Sequence, residues 1–145
     1  MRIVVQRVKN ASVVINKQEY SSIDRGLLCF VGFCDSDTEV DFVWVVNKLF
    51  NLKLFRNSKS LIDIHGQLLI VSQFTLFGSI RKGMKPSWSK ASKADFAKLL
   101  YDQFIMLCKQ KKPDCIKTGV FGADMQIESM NDGPVTLIID TKNRE

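Results

Sequence analysis

A Gly-Pro step between two strand-like stretches near the end of the chain places the strongest local constraint on the fold. The step lies in Asn131-Asp132-Gly133-Pro134-Val135-Thr136, and apolar residues recur on either side of it, over residues 124–130 and 135–140. Asn, Asp and Gly tolerate positive φ, and proline can open a strand because it has no N–H to give to the ladder. The pattern therefore predicts a hairpin turn joining two strands.

The same turn could instead be a functional tip. A Gly-Pro bond has only a small preference for the trans form, so a tight turn can hold it cis. A cis bond would point the carbonyl groups of Gly133 and Pro134 in roughly the same direction, and the missing side chain of Gly133 would let a ligand come close. Turn chemistry alone leaves both interpretations open.

The rest of the chain predicts an α+β fold with many antiparallel strands and two helices. A capping-box spacing of Ser36 and Glu39 predicts the start of the first helix, and Ser92 the start of the second. The second helix is predicted to bury one apolar face, formed by Phe96, Leu99, Leu100, Phe104 and Leu107. The predicted strands before the final pair span residues 3–8, 12–15, 19–23, 27–33, 68–74 and 116–120, and a short hairpin is expected near residues 57–66.

Length and composition restrict the class of protein. With 145 residues the chain is expected to form one domain, spanning residues 1–145, and no apolar run approaches the roughly 20 residues that cross a bilayer. Charge interrupts the start of the chain too early for a signal peptide, so a cytoplasmic protein without membrane contact is expected. The four cysteines do not have zinc-site spacing, and the single histidine, His65, argues against a catalytic triad or a catalytic zinc.

A polar end to a strongly apolar strand is the second candidate for a functional site. The run of residues 68–71 leads directly into Ser72-Gln73-Phe74-Thr75, and polar residues at the end of a buried strand often form the rim of a site. Thr75 could act as a nucleophile only if a base activated it, and the sequence shows none. Backbone N–H groups here could instead bind a developing oxyanion. A strand that simply leaves the core is the alternative.

Two further stretches suit a nucleotide ligand. The net charge is +6, and the basic loop that follows the second candidate contains Arg81, Lys82, Lys85 and Trp88, which suit phosphate contact and base stacking. A solvated surface loop would have the same composition. Residues 118–125 combine two glycines with Phe121 and Met125, which could line an apolar pocket or belong to an ordinary core.

Together these stretches resemble the D-aminoacyl-tRNA deacylase family of the type that carries a Gly-cisPro motif. The resemblance rests on residues 72–76 and 131–136, with support from Gln6-Arg7-Val8 and from residues 82–87 and 118–125. It implies a homodimer of compact subunits with antiparallel, β-barrel-like sheets and two main helices on the outside. It also implies hydrolysis of the ester that joins a D-amino acid, and glycine too, to the 3′ end of tRNA, without a cofactor or metal.

The resemblance also implies roles for individual residues. Ser72, Gln73, Phe74 and Thr75 would form the catalytic segment, largely through backbone groups, while a ribose hydroxyl of the tRNA assists water. Gly133 and Pro134 of one subunit would enter the site of the other and accept hydrogen bonds from the substrate's α-amino group, so that an L side chain collides and a D side chain does not. Arg7 would pack beside the Gly-Pro step and help hold its orientation, and Phe121 would line the adenosine pocket. The remaining substrate and tRNA contacts implied are Met125, Arg81, Lys82, Lys85 and Trp88.

Three alternatives stay open at this point. Thr75 could be the nucleophile. The chain could be a tRNA-binding module without catalysis, which its charge and Trp88 would equally suit. It could also be an assembly protein whose apolar surface serves only to form a dimer.

Overall fold

A six-stranded mixed sheet that curls until its ends nearly meet forms the centre of the molecule. The computed structural model describes residues 1–144. The strands are β1 (Arg2–Ile15), β2 (Gln18–Ile23), β3 (Gly26–Gly32), β4 (Gln67–Ser72), β5 (Ile116–Thr118) and β6 (Gln126–Asp140). Two helices, α1 (Glu39–Asn51) and α2 (Ala94–Lys111), and short 3₁₀ turns at Arg56–Ser58, Phe74–Phe77 and Pro113–Cys115 complete the chain. The α+β, barrel-like architecture confirms the predicted fold class.

Strand β1 organises the sheet because it pairs with three neighbours. Its residues 2–8 pair with β3, its residues 11–15 pair with β2, and β6 runs along its other edge over residues 2–14. The order along the sheet is β2-β1-β3-β4-β5. The hydroxyl of Ser21 on β2 donates to the carbonyl of Thr118 on β5 at 2.8 Å, which joins the two ends of this order and nearly closes the barrel.

The sheet is mixed, so the prediction of antiparallel pairing throughout is wrong for two pairs of strands. β3 pairs with β4, and β4 with β5, in parallel. Each of these pairs is separated in the chain by a helix, the crossover that a parallel pair requires. Both faces of β3 and β4 are buried, which explains why their sequences are continuous apolar runs rather than alternating ones.

Two apolar clusters fill the two sides of the curled sheet. The outer cluster lies beneath the helices and contains the edge-to-face aromatic rings of Phe33, Phe42 and Phe104, whose centroids are 5.8–6.4 Å apart. The inner cluster consists of Val8, Ala11, Val13, Ile23, Leu28, Leu69 and Val71. Because each fully buried side chain of this kind contributes about 1.5–3 kcal/mol, these clusters fix the positions of the strand ends.

The predicted C-terminal hairpin is wrong, because β6 is one continuous strand. Thr136 lies opposite Gln6 and Asn131 lies opposite Val8, so residues 132–135 all face the single residue Arg7. Three of these four residues are therefore extra, and the four together form an irregularity in the ladder that we call the Gly-Pro bulge. Both predicted strands exist, but each pairs with β1 rather than with the other. The Gly133–Pro134 peptide bond is cis.

The cap of α1 and the buried face of α2 differ from their predictions. Thr38, not Ser36, caps α1, where the Asp41 carboxylate accepts from the backbone N–H of Thr38 at 3.0 Å. α2 begins at Ala94 and is rotated from its predicted face, so that Phe96 and Leu99 are exposed. The buried residues of α2 are Ala97, Leu100, Tyr101, Phe104, Ile105 and Cys108. None of the helices in residues 1–144 is long and apolar enough to cross a membrane.

Two smaller strand predictions also differ from the structure. The strands expected over residues 3–8 and 12–15 are two parts of the continuous β1, because β1 changes partner rather than ending. The short hairpin expected near residues 57–66 is a 3₁₀ turn and a series of turns, with only an isolated bridge between Phe55 and Lys59.

Candidate functional site

The chain turns sharply where β4 ends, and the turn carries the four predicted catalytic residues. Ser72 ends the strand, and Phe74 and Thr75 begin the 3₁₀ turn. The N–H of Gln73 still donates to the Val31 carbonyl at 2.7 Å, so β3 holds the turn at its first residue. Within residues 1–144, no backbone hydrogen bond is donated by the N–H groups of Phe74 and Thr75, as expected at the start of a helical turn.

A cavity of about 520 Å³ opens beside this turn. Its size is typical of small-molecule sites. It brings together five of the predicted site residues, namely Ser72, Gln73, Phe74, Phe121 and Met125. Its remaining wall comes from the end of β3, from the start of α2 and from residues 122–127. The strand end and the glycine-containing stretch, which are separate in sequence, therefore form one pocket.

The far wall of the pocket is held in place by a buried tyrosine. Phe121 is half-buried, and its ring centroid lies 5.6 Å from that of Tyr101 on α2, at an interplanar angle of 50°. The Tyr101 hydroxyl donates to the Ile70 carbonyl at 3.0 Å. Burial raises the pKa of Tyr101, so the hydroxyl stays protonated and keeps this bond at ordinary pH. α2 and β4 thus fix the aromatic face that Phe121 presents.

Thr75 is placed differently from its three neighbours. It does not line the cavity, and its hydroxyl oxygen accepts a hydrogen bond from the side-chain amide of Gln73 at 2.5 Å. His65 lies in a turn and does not line the cavity. Of the described residues that do line it, Asp124 alone is charged. Across residues 1–144, no cluster of three or more His, Cys, Asp or Glu could hold a metal ion.

A buried arginine organises the Gly-Pro bulge. Arg7 is only 7% exposed. Its guanidinium donates to the carbonyls of Asp132 at 2.9 Å, Gly133 at 3.1 Å and Leu54 at 2.6 Å. It also forms an ion pair with the Asp132 carboxylate at 3.1 Å, while the side chain of Asn131 donates to the Arg7 carbonyl at 2.9 Å. The bulge is therefore held by a polar network centred on one side chain.

The structure does not bring the bulge to the pocket within one chain. Neither Gly133 nor Pro134 lines the cavity, and Arg7 does not line it either. Both residues of the Gly-Pro step are exposed at the surface. β6, which carries them, pairs with β1 along one edge, and within residues 1–144 its other edge has no strand partner.

The basic loop lies outside the pocket on the side of Phe74. Arg81, Lys82 and Lys85 are exposed and do not line the cavity. Trp88 contacts Phe74, with ring centroids 5.6 Å apart. Of the predicted tRNA-binding residues, Trp88 therefore contacts the predicted catalytic segment directly.

Sequence reasoning missed the part of the pocket formed by β3 and α2. These residues are Val31, Gly32, Phe33, Ser92, Ala94 and Ala97. Most are small or apolar, and such residues carry no chemical signature. Gly32 gave the one available signal, since a Cβ there would lie 2.8 Å from the Gln73 carbonyl oxygen, and only glycine lets β3 approach the turn so closely.

Comparison with known proteins gives a consistent result. The profile of the D-Tyr-tRNA(Tyr) deacylase family matches residues 4–140. A D-aminoacyl-tRNA deacylase from Azobacteroides pseudotrichonymphae genomovar. CFP2 is 48% identical over 150 aligned positions that cover 100% of both chains. The one from Cytophaga hutchinsonii is 46% identical and covers 98% of both. A solved structure described as a c-Myc DNA Unwinding Element Binding Protein superimposes with a TM-score of 0.91 at 37% identity, over 97% of this chain and 98% of that one.

Proposed function

Since the chain belongs to the D-Tyr-tRNA(Tyr) deacylase family and is a D-aminoacyl-tRNA deacylase, an ester hydrolase, we propose how its pocket and its Gly-Pro bulge contribute to that reaction. The pocket beside Phe74 binds the terminal adenosine and the ester. The Gly-Pro bulge of a second subunit tests the handedness of the amino acid. The observation that carries this proposal is the pocket itself, which gathers five of the residues expected to contact substrate. The chain is expected to act as one domain, in the cytoplasm.

The pocket has the composition that a nucleoside site requires. Phe121 and Met125 offer an aromatic face and a flexible apolar side chain, while Ser72 and Gln73 supply polar groups. Phe74 lines the pocket, and its backbone N–H has no backbone partner within residues 1–144, so this N–H is available to a developing oxyanion. Water would attack the ester with help from a ribose hydroxyl of the tRNA.

The position of Thr75 favours this RNA-assisted mechanism over a threonine nucleophile. Its hydroxyl accepts a hydrogen bond from Gln73, and a neutral amide cannot act as the base that would activate it. Thr75→Ala should therefore change turnover of D-Tyr-tRNA by no more than about fivefold, since one such hydrogen bond contributes about 1 kcal/mol. A loss of turnover to the background rate would instead establish Thr75 as the nucleophile.

Handedness would be set by rejection at the bulge. The exposed carbonyls of Gly133 and Pro134 would accept hydrogen bonds from the substrate's α-amino group, and a carbonyl that already accepts from Arg7 has a second lone pair for this. With the amino group held there, an L side chain would collide with the bulge, and a D side chain would point away. Glycine has no side chain to reject, so glycyl-tRNA would also be hydrolysed.

A homodimer would bring the bulge to the pocket. The bulge and the pocket do not meet within one chain, so the bulge that reaches the pocket would come from a second copy of the chain. The outer edge of β6 supports such an assembly, because it is a long strand edge with exposed apolar side chains at Met130, Leu137 and Ile138, the last 78% exposed. An exposed strand edge of this kind can pair with another chain, and exposed apolar side chains beside it favour such a contact.

Paired substrates test the proposed selectivity. Purified protein without added metal is incubated with D-Tyr-tRNA and, separately, with L-Tyr-tRNA, and the release of tyrosine is measured. We expect rapid release from the D substrate and almost none from the L substrate. Equal hydrolysis of the two would remove the role assigned to the bulge.

A further inference from the structure

Two exposed aromatic rings are in contact at the mouth of the pocket. Phe74 lines the cavity, and its ring meets that of Trp88 edge to face, at an interplanar angle of 76°. Trp88 does not line the cavity, so it extends the apolar wall outward by one ring. The two side chains are 56% and 42% exposed. Large aromatic surface left in water beside a binding pocket marks a contact surface for a ligand.

The indole of Trp88 is held in a defined position. A Cβ on Gly78 would lie 2.5 Å from Cζ3 of the indole, so the absence of a side chain at Gly78 makes room for the ring. The backbones of Ser79 and Ser87 exchange two hydrogen bonds of 2.8 and 2.9 Å, which close the basic loop directly before Trp88. The two rings therefore form a preorganised surface, which we call the aromatic platform.

The charge next to the platform selects the class of ligand. Arg81, Lys82 and Lys85 lie between the two closing serines, all are exposed, and within residues 1–144 none of them forms an ion pair. Unpaired cations beside exposed aromatic rings suit a single-stranded polyanion with stackable bases. The unpaired 3′ end of a tRNA has this chemistry.

We propose that the aromatic platform stacks the base of the nucleotide that precedes the terminal adenosine, while the loop cations contact its phosphate. This rests on the proposed function, which places the terminal adenosine in the pocket. Since Phe74 belongs both to the pocket wall and to the platform, an RNA strand that leaves the pocket on this side meets Trp88 next. The platform positions the substrate and takes no part in bond cleavage.

The first test compares a full substrate with a minimal one. The quantity measured is the preference in kcat/KM for D-Tyr-tRNA over D-tyrosyl-adenosine, which lacks the preceding nucleotide. Trp88→Ala should lower this preference about 5- to 150-fold, the range for loss of one base–aromatic stack, and mainly through KM. Trp88→Phe should keep most of it. Phe96→Ala is the matched control, because Phe96 is 43% exposed on α2 and lines no part of the pocket.

The second test removes the base instead of the ring. D-Tyr-tRNA with an abasic nucleotide before the terminal adenosine should be a poorer substrate for the unchanged protein by a similar factor. The same abasic substrate should show no further loss with Trp88→Ala, because the two changes remove one contact.

Three results would overturn the proposal. Full activity on the abasic substrate would show that no base stacks there. An equal loss on D-Tyr-tRNA and D-tyrosyl-adenosine with Trp88→Ala, or a dissociated dimer, would assign Trp88 a structural role. No hydrolysis of either D substrate by the unchanged protein would reject the proposed function together with the platform, whereas normal hydrolysis without an abasic effect would reject the platform alone.

Discussion

The pocket and the Gly-Pro bulge are held in place by different forces. The pocket turn follows β4, a strand buried on both faces, and its wall rests on packed aromatic rings. The bulge lies on β6, whose residues are mostly exposed, and depends on hydrogen bonds to Arg7. The apolar contacts of the pocket are shared among many residues, whereas the polar contacts of the bulge converge on the one side chain of Arg7. The bulge should therefore be the more fragile half of the site.

Removal of the central arginine should have the largest effect. Arg7→Ala removes the donor to two carbonyls of the bulge, and it leaves the partly buried Asp132 carboxylate with its longer, 3.8 Å ion pair to Arg56. We expect at least about a 100-fold loss of D-Tyr-tRNA turnover, because displacing a positioning group by about 1 Å can cost that much. Breaking the buried pair should also lower the free energy of unfolding by about 3 kcal/mol. Kinetics and chemical denaturation measure the two effects.

Arg7→Lys is the control for this change. It keeps the charge but loses the forked geometry that reaches three carbonyls, so it should restore stability more than turnover. Equal recovery of both quantities would show that charge alone holds the bulge.

A methyl group at the bulge should have the next largest effect. In Gly133→Ala, the nearest atom to the new Cβ is Oδ1 of Asn131 at 3.8 Å, so the change meets open space within the chain. Thermal unfolding should stay the same, while turnover falls about tenfold or more, because a tight contact loses about 1–3 kcal/mol on overpacking. Unchanged turnover would show that substrate does not approach this residue.

The pocket should tolerate the loss of one of its side chains better than the bulge tolerates the loss of Arg7. Phe121→Ala removes one aromatic face but leaves Tyr101 and the turn at β4 in place. We expect about a tenfold rise in KM with little change in kcat, the value of about one base–aromatic stack. A loss in kcat as large as that of Arg7→Ala would show that the pocket is as sensitive to a single substitution as the bulge.

The smallest effect on activity should come from changes at the start of α1, which belongs to neither the pocket nor the bulge. Although burial raises the pKa of Asp41, hydrogen bonds from Lys142 and Thr38 outweigh it and lower the pKa to about 2. Because the pKa of Asp41 is lower in the folded protein than in the unfolded chain, its carboxylate stabilises the fold above about pH 4. This stabilisation is lost as the pH falls towards 2. Up to about 2 kcal/mol should be lost in that window.

Lys142→Ala tests this assignment, since it removes the hydrogen bond that Asp41 accepts at 2.7 Å. It should flatten the acid dependence of unfolding and leave the kcat/KM for D-Tyr-tRNA at neutral pH unchanged. A changed kcat/KM would show that this end of α1 is coupled to the site.

The sequence predicted the parts of the site that have chemical signatures. The polar end of an apolar run predicts Ser72 and Gln73 at a pocket rim, and the resemblance predicts a pocket lined by Phe121 and Met125; the structure brings all four to one cavity. Local patterns do not contain strand direction, so the two parallel pairs were missed. The bulge was misread for a similar reason. Asn-Asp-Gly-Pro suits a hairpin and a bulge equally, and only pairing with β1 distinguishes them.

Complementation between two impaired variants, compared by kcat/KM, tests most directly whether the bulge of one subunit completes the pocket of the other. Arg7→Ala has an intact pocket and Phe121→Ala an intact bulge, so a mixed dimer would contain one undamaged site. After the two are unfolded and refolded together, random pairing predicts recovery to about a quarter of the wild-type kcat/KM. A kcat/KM no higher than the average of the two variants would mean that each chain builds its site alone, and would contradict the account.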